Sequence, residues 1–371
     1  MIETIQTVAV VGAGYMGGGI AQSLAQTGFE VVIADASADA AAAHLARIHG
    51  EAEQLEAQGL FPAGSAELVH RNLRSAPSIE EAVAGVDFVE EAVSEVPGVK
   101  HDVLRRVSAA ARPDAIIGSN TSTIPVHVLE TAVSGPERFL TVHWSNPAPF
   151  IPGVELVVGQ HTDPAVLPVV QDMLARAGRS SALVADVAGF VLNRLQFVLL
   201  KEAMSIVEDG VATADDVDTI VRSTFGFRLP FFGPFAIADM AGLDVYVNGF
   251  ETFTEAFGSR LAPPALLTEA VAAGRHGTKN GAGLLRDYSP EEVHALVAYR
   301  SEAYSRMARL LQELGPVRGS RVSWDALLVE RVVGGVATRA VGARRHARGA
   351  GSGAGPSSCS RRAMRLYASL R

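Results

Sequence analysis

The segment Gly12-Ala13-Gly14-Tyr15-Met16-Gly17 constrains the fold of this chain more than any other. It follows the apolar run Val8–Val11 and opens a helical pattern that runs from Met16 to Gln26. Strand, glycine-rich turn and helix in that order form the first unit of a doubly wound sheet. Gly12 makes the tight turn, Gly14 lets backbone approach a pyrophosphate, and Gly17 lets the helix pack closely on the strand. Tyr15 and Met16 open the helix, whose unpaired N–H groups are offered to anionic phosphates. Asp35 ends the next apolar run, 21 residues after Gly14. A carboxylate there accepts from the ribose 2′- and 3′-hydroxyls and repels a 2′-phosphate, which favours NAD over NADP. On this motif alone an FAD site stays open.

Further apolar runs at Val31–Ala34, Val86–Val89, Ala115–Gly118, Phe139–His143 and Val154–Val158 are bounded by turn residues and read as strands buried on both faces. Helical stretches at Asp39–Ala57 and Val99–Ala111 lie between them. The alternation predicts an α/β fold with a Rossmann-type doubly wound sheet over residues 1–187. After Ala182–Ala185 the strand signal stops. Phe190–Val207, Ala214–Thr224 (with Thr213 as N-cap), Leu243–Phe257, Pro264–Ala273 and Pro290–Leu314 read as helices, which predicts an all-α C-terminal domain over 188–316. The boundary is expected near Asp186–Gly189. Residues 317–371 are rich in Arg, Gly, Ala and Ser without periodicity, the composition of a basic disordered tail. Such a tail is either an arm for acidic surfaces or an appendage without function.

A chain of 371 residues exceeds one hydrophobic core, and 48% hydrophobic with 19% charged residues suits a soluble globular protein. Cys359 is the only cysteine, so no intrachain disulfide forms, and Met1–Thr7 carries no basic leader region; a reducing compartment, most simply the cytoplasm, is expected. The longest apolar stretch, Val187–Leu200, is broken by Asn193, Arg194 and Gln196 and is too short to span a bilayer. The net charge of −8 is uneven. Residues 317–371 hold eleven Arg against Asp325 and Glu330, a net of +9, which leaves −17 for residues 1–316. A body that acidic repels nucleic-acid phosphates. Neither a metal site nor a membrane or nucleic-acid partner is expected.

A dinucleotide fold that oxidises an alcohol needs a base for the hydroxyl proton. His143 ends a strand at the carboxyl edge of the sheet, where such folds bind ligands. Glu155 lies 12 residues later on the returning strand, placed to face His143 and fix its tautomer. Taken alone, a histidine at a strand end is also a common structural residue.

The surrounding motifs settle that choice by resemblance. "TVHWSNPAPFIPGVELV" resembles the signature of the 3-hydroxyacyl-CoA dehydrogenase family, in which a His and a Glu at this spacing form the catalytic pair. "SNTSTIPV" and "GFVLNRL" continue the resemblance and supply Ser122 and Asn193, which in the family hold the substrate's oxygens. "VEEAVSEVPGVK" is similar to the family's cofactor-side segment and implies Glu91, Glu95 and Lys100 near the nicotinamide half, with Asn120 beside them. "GPFAIADMAGLDVY" and "HGTKNGAGL" look like the family's helical domain, so the likeness covers about residues 5–314.

Local alternatives stand beside these roles. Ser122 could simply start a helix at Pro125, Asn193 could bridge helices, Lys100 could be a solvated helix lysine, and Glu95 could only shape the loop. The resemblance implies NAD as cofactor, a homodimer formed through the helical domain, and a place in fatty acid metabolism for the acyl-CoA members. Trp144 and Ser145 depart from the usual residues of those members and resemble branches acting on small hydroxy acids or hydroxymethyl/formyl pyridine carboxylates. A non-catalytic NAD sensor on the same fold is the reading from another class. An intact base–carboxylate pair argues against it.

Overall fold

The structure, a computed structural model, describes residues 2–315. The expected basic tail lies outside the described residues. Eight strands form one sheet: β1 (Thr7–Val11), β2 (Glu30–Ala34), β3 (Leu73–Ser75), β4 (Phe88–Glu91), β5 (Ile116–Ser119), β6 (Phe139–Trp144), β7 (Gly153–Val158) and β8 (Ser180–Val184). Their order is β3-β2-β1-β4-β5-β6-β7-β8, and every pair is parallel except β6 with β7. The order reverses beside β1, so the carboxyl ends of β1 and β4 flank the crevice where doubly wound sheets take ligands.

Alternate residues of the same strands feed two cores, as a pleat with period two requires. Val8, Val10, Ile33, Phe88, Leu140 and Val142 face one way. There they meet α1 (Tyr15–Gln26), α2 (Ala38–Ala57), α3 (Ser65–Asn72) and, past β7, α7 (Val166–Arg176). Ala9, Val11, Val32, Val89, Ile117 and Phe139 face the other way. They pack on α4 (Ile79–Val83), α5 (Pro97–Ala110) and α6 (Val126–Leu129). A sheet covered on both faces explains why its strands read as unbroken apolar runs.

Contacts along the chain divide it into two compact units, Met1–Leu200 and Lys201 onward. The division falls inside α8 (Leu192–Glu208). The second unit carries α9 (Ala214–Ser223), α10 (Phe225–Arg228), α11 (Pro234–Ala241), α12 (Leu243–Phe257), α13 (Ala265–Ala272) and α14 (Pro290–Leu314). Its small core gathers Leu243, Leu267 and Ala270. Asp239 of α11 is fully buried and accepts from the Leu284 and Leu285 N–H groups and the Tyr288 hydroxyl. One carboxylate thus satisfies three donors at and just after the end of the "HGTKNGAGL" loop, whose Gly283 has no Cβ to crowd it.

Candidate active site and cofactor loop

His143 pairs directly with Glu155 across β6 and β7, so both side chains leave the same face of the sheet. His143 Nδ1 lies 2.8 Å from Glu155 Oε2, and Nε2 lies 3.1 Å from Ser122 Oγ. An ionised carboxylate only accepts, so the Nδ1 side of the ring donates and Nε2 is left as the basic nitrogen. The ring is buried against Phe190, centroids 5.6 Å apart. The other oxygen of Glu155 accepts the Val191 and Leu192 N–H groups, each at 2.9 Å, at the start of α8. Gly189 (φ 75°) and Phe190 (φ 49°) turn the chain there through the left-handed region. For a buried Phe that conformation is strained, the kind of strain a structure holds at a working site. Asn193 Nδ2 then donates to the Ser122 carbonyl at 2.9 Å, so Ser122, His143, Glu155 and Asn193 lie on one ring of contacts that passes through the Ser122 backbone and returns through the Val191 and Leu192 N–H groups of α8.

Ser122 is itself held from outside the ring. Glu95 Oε1 accepts from Thr121 Oγ1 (2.7 Å), the Ser122 N–H (2.9 Å), the Thr123 N–H (2.9 Å) and Thr123 Oγ1 (3.1 Å). Burial pushes the Glu95 carboxyl up, but the Thr121 hydroxyl, the Thr123 N–H, the charge of Lys100 and the Ser122 N–H together hold it below the usual carboxylate range. Glu95 therefore does shape the loop, and that loop carries Ser122. Asn120 Oδ1 accepts the Trp144 N–H at 2.9 Å, which ties the end of β5 to the end of β6.

Lys100 is not a solvated helix lysine. Its side chain is 1% exposed, with Nζ 2.9 and 3.1 Å from the two oxygens of Glu91, 3.2 Å from the Val93 carbonyl and 3.4 Å from Glu95. Glu91 is as deeply buried and also accepts from Ser119 Oγ and the Val93 N–H. Of the four charged residues of this segment, Glu90, Glu91, Glu95 and Lys100, only Glu95 keeps substantial surface, 34%. Sequence reasoning missed Glu90, whose carboxyl is fully buried with no hydrogen-bond partner among the described residues. Burial first, and Glu91 second, push it well above the usual range. A Cβ on Gly118 would stand 2.7 Å from it, so that glycine makes its room.

In the glycine loop, Gly12 has φ 92° and a Cβ there would meet the Ala92 and Val93 backbone at 2.8 Å. A Cβ on Gly17 would stand 1.8 Å from the Gly12 carbonyl. Nothing lies within 4 Å of a Cβ on Gly14, so that side of the loop is open for a ligand's backbone approach. Tyr15 is 68% exposed at the helix start, and Met16 turns inward against the core. Asp35 Oδ2 accepts the Ala13 N–H at 2.8 Å and Oδ1 the Ala36 N–H at 2.7 Å, with acceptor sites left for ribose hydroxyls. These residues fit a dinucleotide. Among the described residues no group of His, Cys, Asp and Glu is placed to hold a metal, and no helix is long and apolar enough to cross a membrane.

Residues 7–187 match the family described as "3-hydroxyacyl-CoA dehydrogenase, NAD binding domain", and residues 189–287 match its C-terminal domain. The chain belongs to the 3-hydroxyacyl-CoA dehydrogenase family. It is similar to a 5-formyl-3-hydroxy-2-methylpyridine 4-carboxylate 5-dehydrogenase of Mesorhizobium japonicum, 34% identical over 83% of this chain and 99% of that one. It is also similar to an L-carnitine dehydrogenase of a Pseudomonas species, 37% identical over 71% of this chain and 80% of that one. The solved 3-hydroxyacyl-CoA dehydrogenase of Archaeoglobus fulgidus superposes with a TM-score of 0.67 at 32% identity, covering 84% of this chain and 99% of that one. As a member of the family, the protein is an NAD-dependent oxidoreductase acting on a CH–OH donor.

Asp35→Ala should raise the Michaelis constant for NAD by about tenfold and narrow the preference over NADP, because a carboxylate at the end of the second strand would supply both ribose contacts and repulsion of a 2′-phosphate. Steady-state kinetics with both cofactors measures this. Equal use of NAD and NADP by the unsubstituted protein would remove its basis.

Proposed function

We propose that this enzyme interconverts an alcohol and its carbonyl product, a secondary alcohol β to a carbonyl and its ketone in the case of a hydroxy acid, and that its substrate is a small carboxylate-bearing molecule rather than a CoA thioester. The observation that supports the chemistry is the set of contacts that joins Ser122 to His143, His143 to Glu155, Glu155 to the start of α8, and Asn193 of α8 back to the Ser122 carbonyl. When bound, the nicotinamide supplies the hydride acceptor. His143 Nε2 takes the hydroxyl proton; it lies 3.1 Å from Ser122 Oγ, so a hydroxyl held by that serine would be within its reach. Glu155 keeps Nδ1–H engaged and compensates the charge that arrives with the proton. Asn193 holds the Ser122 backbone, and together they orient the reacting oxygens, a contribution that geometry alone can make large. Glu91, Glu95, Lys100 and Asn120 brace the loop on the cofactor side.

The substrate class is supported by α2. CoA carries about four negative charges and its sites gather Lys and Arg. Here α2 holds Arg47 as its only Lys or Arg, beside Asp39, Glu51, Glu53 and Glu56. Arg47 is already engaged by Glu51 and by backbone carbonyls. Only Lys100, Lys201 and Lys279 occur in the whole chain, and Lys100 is buried. The likeness to the A. fulgidus enzyme favours the second reading, 3-hydroxyacyl-CoA, which would place the chain in fatty acid metabolism. A substrate panel followed by nicotinamide absorbance decides between them. Slow turnover of acetoacetyl-CoA and faster turnover of a free hydroxy acid or hydroxymethyl/formyl pyridine carboxylate is expected. Saturable acetoacetyl-CoA reduction at a micromolar Michaelis constant would overturn the small-substrate reading.

The proposal includes a homodimer formed through the helical domain and residence in the cytoplasm. Its support is α8, which buries none of its residues and exposes Leu195, Phe197, Val198 and Met204 by 57 to 67%. The single cysteine suits a reducing compartment. Sedimentation measures the oligomeric state.

A further inference from the structure

The helix after the glycine loop contains three consecutive glycines, and each makes room for something different. Gly17 accommodates the Gly12 carbonyl, and a Cβ on Gly19 would crowd Pro149 at 3.1 Å. Gly18 accommodates a side chain from another helix, because its Cβ would stand 2.6 Å from Arg47 Nη2. Arg47 reaches across from α2 through that gap. Its Nη2 donates to the Ala13 and Gly14 carbonyls, both at 3.1 Å, while Nη1 is held by the two oxygens of Glu51 at 2.8 and 2.9 Å. The guanidinium is about one-third exposed. Its fork therefore spans from a carboxylate one turn along its own helix to the dinucleotide loop.

We infer that Arg47 is a positioning residue for the cofactor, holding the glycine loop from behind so that the loop's N–H groups face the pyrophosphate. In a trans peptide the C=O and N–H point in opposite directions. The Ala13 carbonyl shares its peptide plane with the Gly14 N–H, and the Gly14 carbonyl shares its plane with the Tyr15 N–H. Drawing both carbonyls toward Arg47 turns both N–H groups to the opposite side of the loop. Gly14 is the N-cap of α1 and Tyr15 its first residue, so neither N–H has a partner within the helix, and neither donates elsewhere among the described residues. They are the donors a pyrophosphate would take. The other two anchors act on the N–H side: Gly12 N–H donates to the Ala34 carbonyl and Ala13 N–H to Asp35. Arg47 thus holds the Ala13–Gly14 peptide plane, whose carbonyl has no other partner among the described residues, and adds to the Gly18 N–H (2.9 Å) in holding the Gly14–Tyr15 plane.

NADH binding, read by nucleotide fluorescence, tests the assignment independently of turnover. Arg47→Met keeps helix propensity and removes the fork. It should weaken NADH by about tenfold, the scale of losing a charge-assisted pair of hydrogen bonds. ADP-ribose, which keeps the pyrophosphate and lacks nicotinamide, should lose affinity by the same factor in competition, whereas adenosine, which lacks phosphates, should not. Arg47→Lys restores a charged donor and should recover NADH affinity to within about threefold of the unsubstituted protein. NADH affinity unchanged within about twofold in Arg47→Met overturns the inference, and so does an equal loss for adenosine. If Arg47→Met does not fold, Arg47→Gln takes its place under the same two criteria.

Discussion

His143→Gln is expected to lower turnover by about a hundredfold or more, the usual share of a general acid–base group, while NADH affinity stays within about twofold. Glutamine fills a similar volume and its amide can still hydrogen-bond both Ser122 and Glu155, so the ring of contacts persists. What disappears is a nitrogen able to take a proton. The cofactor loop lies on β1 and α1 and draws no contact from His143, which separates binding from chemistry. Single-turnover oxidation under saturating NAD reads the chemical step. Unaltered turnover there would remove the base from His143.

The doubly wound fold was legible because its strands are buried on both faces and therefore stand out as apolar runs between turn residues. Three departures among the strands each have a physical cause. β4 was expected at Val86–Val89 and lies at Phe88–Glu91. Two adjacent carboxyls read as a strand end, yet Glu91 is compensated by Lys100 and Ser119 and stays inside the sheet. β3 has only three residues, too few to show a period. β8 is an edge strand with three of its five residues exposed, so it lacks the apolar signature of the central strands. Short helices such as α3 and α4 escaped for the same reason as β3.

In the candidate site, residues paired by strand register could be anticipated and residues joined through backbone could not. The spacing of His143 and Glu155 on a strand and its return placed them face to face. Nothing in a linear spacing shows that Glu95 gathers four donors from Thr121–Thr123, or that Arg47 passes over Gly18 to the cofactor loop. Both depend on which helix crosses which loop. The run of three glycines was the one available signal, since a third Cβ-free position in a helix is costly unless something occupies the gap.

The second large effect is expected at Glu155, where two substitutions separate orientation from architecture. Glu155→Gln keeps an oxygen that can accept the Val191 and Leu192 N–H groups, so α8 should start where it does now and the melting temperature should change little. Its amide nitrogen then faces Nδ1 as a donor, which forces Nδ1 to accept and puts the ring proton on Nε2, the nitrogen that must act as base. Turnover should fall by about a hundredfold or more although every contact is still made. Glu155→Ala gives the same loss of turnover and adds a loss of stability of about 1 to 2 kcal/mol, the range for removing a helix N-terminal acceptor. Chemical denaturation and single-turnover kinetics on both variants read the two effects apart. A Glu155→Gln enzyme that turns over normally would show that Glu155 only caps α8, and the tautomer argument would fall with it.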